Sequence, residues 1–169
     1  SGRGSSRLRR VWWLGEYEKL LKQLVKEMKF ERRRAYARMF GEVLAQALPY
    51  FSENTVVTSI PTATKRVRQR GFDQAALVAR SFAARRGYDY RPLLFHVQQV
   101  EQIGKNRHER LRQVAESMQY RSKELDGVSV IVIDDVLTTG ASLEVAARLL
   151  REHGAAHVDG AVIARHLLK

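Results

Sequence analysis

The segment that most constrains the fold is the apolar run at residues 128–133 (VSVIVI), which is bounded by Gly127 and by two aspartates. A run of this kind is typical of a strand that is buried on both faces of a sheet. A helical pattern follows at Ser142–His153 and ends at Gly154, and a second strand pattern covers His157–Ala164. The order strand, helix, strand predicts a right-handed βαβ crossover and therefore a parallel sheet.

The rest of the chain predicts further helices and strands around this unit. Helical patterns begin at Tyr17, Arg32, Asp73 and Asn106, and they end at Met28, Leu48, Arg86 and Glu116, while strand patterns cover Thr55–Ile60 and Leu93–Val97. The predicted fold class is α/β: a mostly parallel, twisted sheet flanked by helices, with two N-terminal helices packed beside or across it.

Residues 1–16 are set apart from the predicted domain. The opening SGRGSSRLRR is small and basic, and it lacks the apolar core of a signal peptide. We interpret residues 1–16 as a flexible arm or a remnant of protein expression, and residues 17–169 as one domain. Trp12 and Trp13 are interpreted as docking on the body of the protein or on a missing module, in preference to stacking on nucleic-acid bases.

The charge of the chain points to an anionic partner. The 169 residues carry a formal net charge of +12 and no cysteine, and the whole positive excess lies in residues 1–120, which sum to +13. The absence of cysteine excludes disulfides, a thiol nucleophile and thiolate zinc ligands. No apolar run approaches the roughly 18–20 residues that a membrane span needs, so we expect a cytoplasmic protein without membrane insertion.

The stretch VIVIDDVLTTGAS, residues 130–142, has the residue types of a sugar-phosphate site. Ligands of parallel sheets bind beyond the carboxyl ends of strands, and the loop Val136–Ser142 runs from such an end into a helix N-terminus, which favours phosphate. Asp134 and Asp135 would repel a phosphate but suit the hydroxyl groups of a ribose or a metal-bound water. Together they predict a ribose-5-phosphate site. Neither a Walker loop nor a GxGxxG motif occurs.

This stretch resembles the 13-residue signature of type I phosphoribosyltransferases, which binds phosphoribosyl pyrophosphate (PRPP). The resemblance implies that the two aspartates bind the ribose hydroxyls and that the following loop holds the 5′-phosphate. It also implies a pyrophosphate loop after the strand that ends at Ile60-Pro61. The implied PRPP-binding residues are Thr62, Ala63, Thr64, Lys65 and Arg66, together with Asp134, Asp135, Val136, Leu137, Thr138, Thr139, Gly140, Ala141 and Ser142.

Residues 59–87, which include RGFDQ, are similar to the ComF (competence protein F) branch of that family. MKF at 28–30 resembles its Lys-Phe element, and Gln102 with Glu109-Arg110 resembles its Gln…Glu-Arg segment. Asp73 stands where this branch usually has Asn. The branch also usually carries a Cys-rich N-terminal zinc module, and either the given sequence begins after that module or this member lacks it, so the resemblance implies no zinc for these residues.

The resemblance also implies roles in catalysis and a cofactor. Mg²⁺ would be held mainly by oxygens of PRPP and by water, and Asp134 and Asp135 are its candidate protein ligands. The candidate catalytic residues are these two aspartates with Lys65 and Arg66, and the cations at Lys65, Arg66, Arg68 and Arg70 are candidates for stabilising the departing pyrophosphate. Thr138 stands where 6-oxopurine salvage enzymes place an aspartate, which disfavours that specificity.

Two interpretations of the basic segment KRVRQRGF, residues 65–72, stay open. It is either a pyrophosphate clamp or nucleic-acid contact, with Phe72 available to stack on a base, or a solvated loop with Phe72 packed against the following helix. The residues assigned to the nucleic-acid or pyrophosphate side are Arg68, Arg70, Phe72, Gln74 and Lys29.

The predicted function is that of a ComF-like protein that binds PRPP and Mg²⁺. It would handle single-stranded DNA during DNA uptake, together with protein partners of the competence machinery. The alternative is an active phosphoribosyltransferase of nucleotide or base salvage without a nucleic-acid role. Two further hypotheses are a metabolite sensor with a basic face that binds nucleic acid and an adaptor with a vestigial pocket, and the intact DDVLTTGAS sequence disfavours the adaptor. No residue identifies an acceptor substrate.

Overall fold

The computed structural model describes residues 7–29, 34–62, 72–97 and 106–166. The predicted site residues Ala63, Thr64, Lys65, Arg66, Arg68 and Arg70, and the ComF-like Gln102, lie outside the described residues. Five helices are described: α1 (Lys19–Met28), α2 (Arg34–Ala47), α3 (Gln74–Arg86), α4 (Arg107–Glu116) and α5 (Ala141–Glu152). The described strands are β1 (Arg10–Glu16), β2 (Thr55–Ser59), β3 (Asp89–Tyr90), β4 (Leu94–His96), β5 (Met118–Tyr120), β6 (Ser129–Leu137) and β7 (His157–Arg165).

The main sheet has five parallel strands in the order β1-β7-β6-β2-β3. Strands β4 and β5 form a separate antiparallel pair. The predicted α/β class with a mostly parallel sheet is therefore confirmed. No helix in the described ranges has the length and apolar character that a membrane crossing requires.

The βαβ unit at the C-terminal end forms as predicted, with α5 packed closely on the sheet. The side chains of Leu143, Ala146 and Leu150 on α5 are fully buried. Gly160 on β7 permits this approach, because a Cβ atom there would lie only 3.0 Å from a methyl group of Leu143. The small residue thus brings the helix, and the loop that precedes it, close to the central strands.

Helices α1, α2 and α3 cover the opposite face of the sheet. Helices α2 and α3 meet at Gly41, where a Cβ atom would lie 2.5 Å from the Cβ atom of Ser81. Arg86 at the end of α3 closes the end of α2, because its Nε donates to the carbonyl of Ala45 at 2.6 Å and its Nη1 to the carbonyl of Pro49 at 3.0 Å. This group of helices fixes the position of α1 and of the lysine that follows it.

Strand β1 differs from the prediction of a flexible arm over residues 1–16. Residues 10–16 are the edge strand of the main sheet, with Trp12 aligned with Ala161 of β7. Trp12 is half-buried and packs against the core, which agrees with docking on the body. Arg9 secures the entry to the strand through a two-point ion pair with the buried Asp159. The domain therefore includes residues that local pattern alone did not assign to it.

The structure confirms one pair of predicted boundaries and corrects another. The helix over residues 74–86 begins at Asp73, whose carboxylate accepts the backbone N–H of Ala76, and it ends at Gly87 with a φ of 71°. Strand β6, in contrast, continues through Leu137 and is paired with β7 over this extension. The two aspartates therefore lie inside the strand and not after its end.

Candidate functional site

The loop after β6 has the geometry of an anion site. Helix α5 begins after Gly140, which adopts a φ of 79° and offers no side chain to cap the helix. The N–H groups of the first turn and the positive end of the helix dipole therefore both point out of the N-terminus of α5. Thr139 contributes a hydroxyl that accepts the N–H of Ala141 at 3.3 Å. A pocket lies against this turn, lined by Asp134 and by residues 136–143.

The two aspartates are neighbours on β6 and make different contacts. Asp134 lines the pocket with the loop, whereas Asp135 lies 3.3 Å from the Nζ atom of Lys29, which follows helix α1. Each carboxylate also accepts the next backbone N–H, from Asp135 at 2.8 Å and from Val136 at 2.7 Å. Asp134 thus lines the pocket, and Lys29 offsets the charge of the neighbouring Asp135.

Asp134 has an unusual ionisation. Burial of its carboxyl group is the main cause that raises its pKa well above the ordinary 3.8, and the negative charge of Asp135 raises it further. The positive charge of Lys29 acts in the opposite direction. The pocket therefore holds a carboxyl group that retains its proton to a higher pH than an exposed aspartate does.

This ionisation predicts that Asp134→Asn stabilises the fold at neutral and alkaline pH. Because the pKa of Asp134 is higher in the folded state, the folded protein binds a proton that the unfolded chain has released, and the free energy of unfolding falls as the pH rises above about 3.8. Asparagine removes this cost. We expect the gain in melting temperature to be larger at about pH 8 than at about pH 5. An equal gain at both values would contradict this origin.

Two other predicted site residues, Thr62 and Lys29, each contact an aspartate. The backbone N–H and the hydroxyl of Thr62 both donate to Asp73 at 3.1 Å, so the first residue of the predicted pyrophosphate loop is tied to the N-terminus of α3. Lys29 was predicted on the nucleic-acid or pyrophosphate side, and it lies beside Asp135. Lys65 and Arg66 lie outside the described residues.

Phe72 and Gln74 do not provide a nucleic-acid surface in this structure. Phe72 is only 7% exposed and lies under the guanidinium group of Arg34 at 5.5 Å, so the interpretation as a packed residue agrees with its position. Gln74 is buried as well. The sequence assigned both residues to the nucleic-acid or pyrophosphate side, because the basic loop before them follows a strand end, and it left a packed position of Phe72 open. The apolar ring of Phe72 is instead buried with the core residues.

Asp73 makes contacts that the sequence did not predict. It appeared as a helix cap and as a departure from the usual Asn of the ComF branch, and the structure adds its two bonds to Thr62. The residue type gave one indication of these contacts, because the carboxylate of a capping aspartate has a second oxygen that can accept a further hydrogen bond. Its contact with Thr62, however, joins residues 11 positions apart and depends on how strand β2 meets α3.

The comparisons with known proteins agree with this geometry. Residues 67–168 match the family described as Phosphoribosyl transferase domain. The chain belongs to this family. It is 30% identical over 145 residues to competence protein ComFC of Bacillus subtilis, which covers 83% of this chain and 57% of that protein. It is 27% identical over 155 residues to the DNA utilization protein YhgH of Salmonella typhi, which covers 86% of this chain and 67% of that protein. The predicted resemblance to the ComF branch is confirmed.

A solved structure supports the fold. The glutamine phosphoribosylpyrophosphate amidotransferase from B. subtilis, complexed with ADP and GMP, superposes with a TM-score of 0.57 at 20% identity. The match covers 82% of this chain and 30% of that enzyme. The type I phosphoribosyltransferase fold is thereby confirmed. The chain spans somewhat more than half of the length of ComFC from Bacillus subtilis.

Proposed function

We propose that this protein binds PRPP together with Mg²⁺ at the pocket between β6 and α5. The observation that carries the proposal is one pocket that Asp134 lines together with the first turn of α5, where Gly140 provides no capping side chain. The helix N-terminus suits a 5′-phosphate, and the carboxyl group suits the ribose hydroxyls. The pocket thus offers one group for the charged phosphate of a phosphorylated sugar and another for its uncharged hydroxyls.

The residues around the pocket fit a magnesium-assisted ligand. Mg²⁺ commonly takes one or two carboxylates and completes its shell with substrate oxygens and water, and Asp134 and Asp135 offer that donor set. Mg²⁺ would offset the charge of the pyrophosphate. We assign the 5′-phosphate to Thr138, Thr139, Gly140 and Ser142, the ribose hydroxyls to the two aspartates, and the pyrophosphate to the segment from Thr62 to Arg66.

The direct test is calorimetric titration of PRPP into the unmodified protein in the presence and absence of Mg²⁺. We expect saturable binding with Mg²⁺ and a loss of at least about tenfold in affinity when EDTA removes the metal, because the pyrophosphate charge is then uncompensated. Ribose 5-phosphate serves as a control that retains the phosphate contact alone. A titration without heat in the presence of Mg²⁺ would remove the proposal.

We also propose that the protein acts in the cytoplasm on single-stranded DNA during DNA uptake. The relatives named for competence and for DNA utilization support this role, as does the net charge of +13 in residues 1–120. One PRPP molecule cannot account for so large an excess of cations. Protein partners from the competence machinery are part of the same proposal.

A labelled single-stranded oligonucleotide tests the DNA role. We expect its binding to weaken steeply with salt, because cations that neutralise phosphates release counterions. Replacement of Arg68 and Arg70 by Ala is expected to reduce both the affinity and the salt dependence. Arg112→Ala, which removes one charge from an exposed position on α4, is the control. Binding that is independent of salt would contradict the role.

The alternative is an active phosphoribosyltransferase, which the match to the phosphoribosyl transferase domain favours. In that reaction the anomeric carbon of PRPP exchanges its pyrophosphate for a nucleophile, and cations at Lys65 and Arg66 would stabilise the leaving group. Pyrophosphate release, screened with bases, amines and DNA as acceptors, distinguishes the enzyme from a protein that only binds PRPP. Release with any acceptor would establish the transferase.

A further inference from the structure

A second concave surface lies at the opposite end of the sheet from the proposed PRPP site. It is a groove of about 390 Å³ at the amino ends of β1, β6 and β7, and the segment between α2 and β2 forms one wall. This volume falls in the range of small-molecule sites. Its lining includes Arg9, Arg10, Tyr50, His157 and Asp159.

Tyr50 is an aromatic platform at this groove. Its side chain is 83% exposed, although large aromatic residues are normally buried at least in part. The guanidinium group of Arg86 lies over the ring at 4.1 Å, and Arg86 is itself held by the carbonyls of Ala45 and Pro49. The arginine therefore supports one side of the ring and leaves aromatic surface open. Such a supported ring can stack on a flat ligand at a low entropic cost.

The charged residues of the groove favour an anion. Asp159 is buried, and the guanidinium group of Arg9 binds both of its oxygens at 3.0 and 2.5 Å, so this pair contributes little net charge. Arg10 is exposed, and within the described ranges no ion pair involves it. His157 is also exposed at the same rim. Arg10 thus remains as a cation beside an aromatic surface.

We propose that this groove binds a nucleotide, with the nucleobase stacked on Tyr50 and the phosphate at Arg10. Two sources share this chemistry: a free mononucleotide and a nucleotide within single-stranded DNA. The second source rests on the DNA role proposed above, whereas the first does not. The groove lies away from the β6–α5 pocket, so its occupancy is separate from PRPP binding.

The test uses the full chain with two probes, deoxyadenosine monophosphate by calorimetry and a fluorescent oligodeoxyadenylate by anisotropy. We expect Tyr50→Ala and Arg10→Ala each to weaken binding of at least one probe by about fivefold or more. Tyr50→Phe keeps the ring and is expected to retain the affinity. Arg112→Ala matches the charge loss of Arg10→Ala outside the groove and is expected to have little effect. Binding of PRPP should be unchanged in both groove variants.

The two probes separate the sources. Loss confined to the mononucleotide identifies a free nucleotide as the ligand, and loss confined to the oligonucleotide identifies a DNA strand. The inference is overturned when neither probe binds, when binding is unaffected by Tyr50→Ala, or when Tyr50→Phe loses as much affinity as Tyr50→Ala. If binding of the oligonucleotide depends on Arg68 and Arg70 but not on Tyr50, the proposed DNA role stands and only the proposed groove site is rejected.

Discussion

Replacement of both Asp134 and Asp135 by Asn is expected to reduce the affinity for PRPP and Mg²⁺ by about a hundredfold or more. Each carboxylate would accept charge-assisted or metal-linked contacts worth roughly 1.5–3 kcal/mol, and the contributions of the two together exceed a factor of one hundred. Asparagine keeps the shape of each side chain but lacks the negative charge. Calorimetric titration with PRPP in the presence of Mg²⁺ measures the loss.

Asp126→Asn is a control for this variant, because it makes the same replacement once at an exposed turn outside the pocket. Asparagine tolerates the φ of 48° that Asp126 adopts. The control should bind PRPP as the unmodified protein does. If the double variant bound with the affinity of the control, the assignment of the aspartates to PRPP would be incorrect.

The same site also illustrates a conflict between binding and stability. Asp134→Asn alone is expected to stabilise the fold at neutral pH while it weakens binding, because the buried carboxyl group costs folding free energy that a ligand or a metal ion can offset. A variant that lost binding through unfolding would instead show a lower melting temperature. The two measurements together therefore separate a binding residue from a purely structural one.

Arg9→Ala is expected to destabilise the protein by about 3 kcal/mol. Asp159 is 2% exposed, and removal of its partner leaves a carboxylate in the core without a counter-charge. For a chain of this size such a loss lowers the melting temperature by roughly 6–12 °C. Because the bond secures the entry to β1, the edge strand should also exchange its amide hydrogens faster than β6 and β7 do.

Arg7→Ala is the control for Arg9→Ala. Arg7 pairs with Glu152 at 3.1 Å, but both side chains are largely accessible to solvent, and exposed pairs contribute roughly 0–1 kcal/mol. Asp159→Asn added to Arg9→Ala should recover part of the lost stability, since the unpaired charge is then absent. Equal melting temperatures for the Arg7 and Arg9 variants would exclude the buried pair as the anchor of β1.

Local patterns predicted much of the fold because they report on short stretches of chain. The apolar run at residues 128–133 is the core of β6, and the glycine stop at Gly154 follows α5. The helical spacing of apolar residues and the capping aspartate also predicted α3 with Asp73 as its N-cap. These features depend on hydrophobic spacing and on backbone hydrogen bonds within a few residues, which the order of amino acids specifies directly.

The positions of several side chains could not be predicted in the same way. Phe72 follows a strongly basic segment, and its burial beneath Arg34 depends on where α2 and α3 meet. The run Val-Trp-Trp-Leu within RVWWLGE favours a strand locally, but its pairing with β7 joins segments about 150 residues apart. Such contacts depend on tertiary packing and not on local propensity.

The sequence by itself determined the parallel βαβ unit and carries the match to the phosphoribosyl transferase domain family. It also predicted a phosphate-type loop at residues 136–142, of which the structure places 136 and 137 in β6. The tertiary structure decided which groups share a site. It turned Asp134 towards the loop, placed Lys29 beside Asp135, and made β1 part of the sheet. The physical reason is that motifs are encoded by neighbours along the chain, whereas burial, ion pairing and pKa depend on neighbours in space.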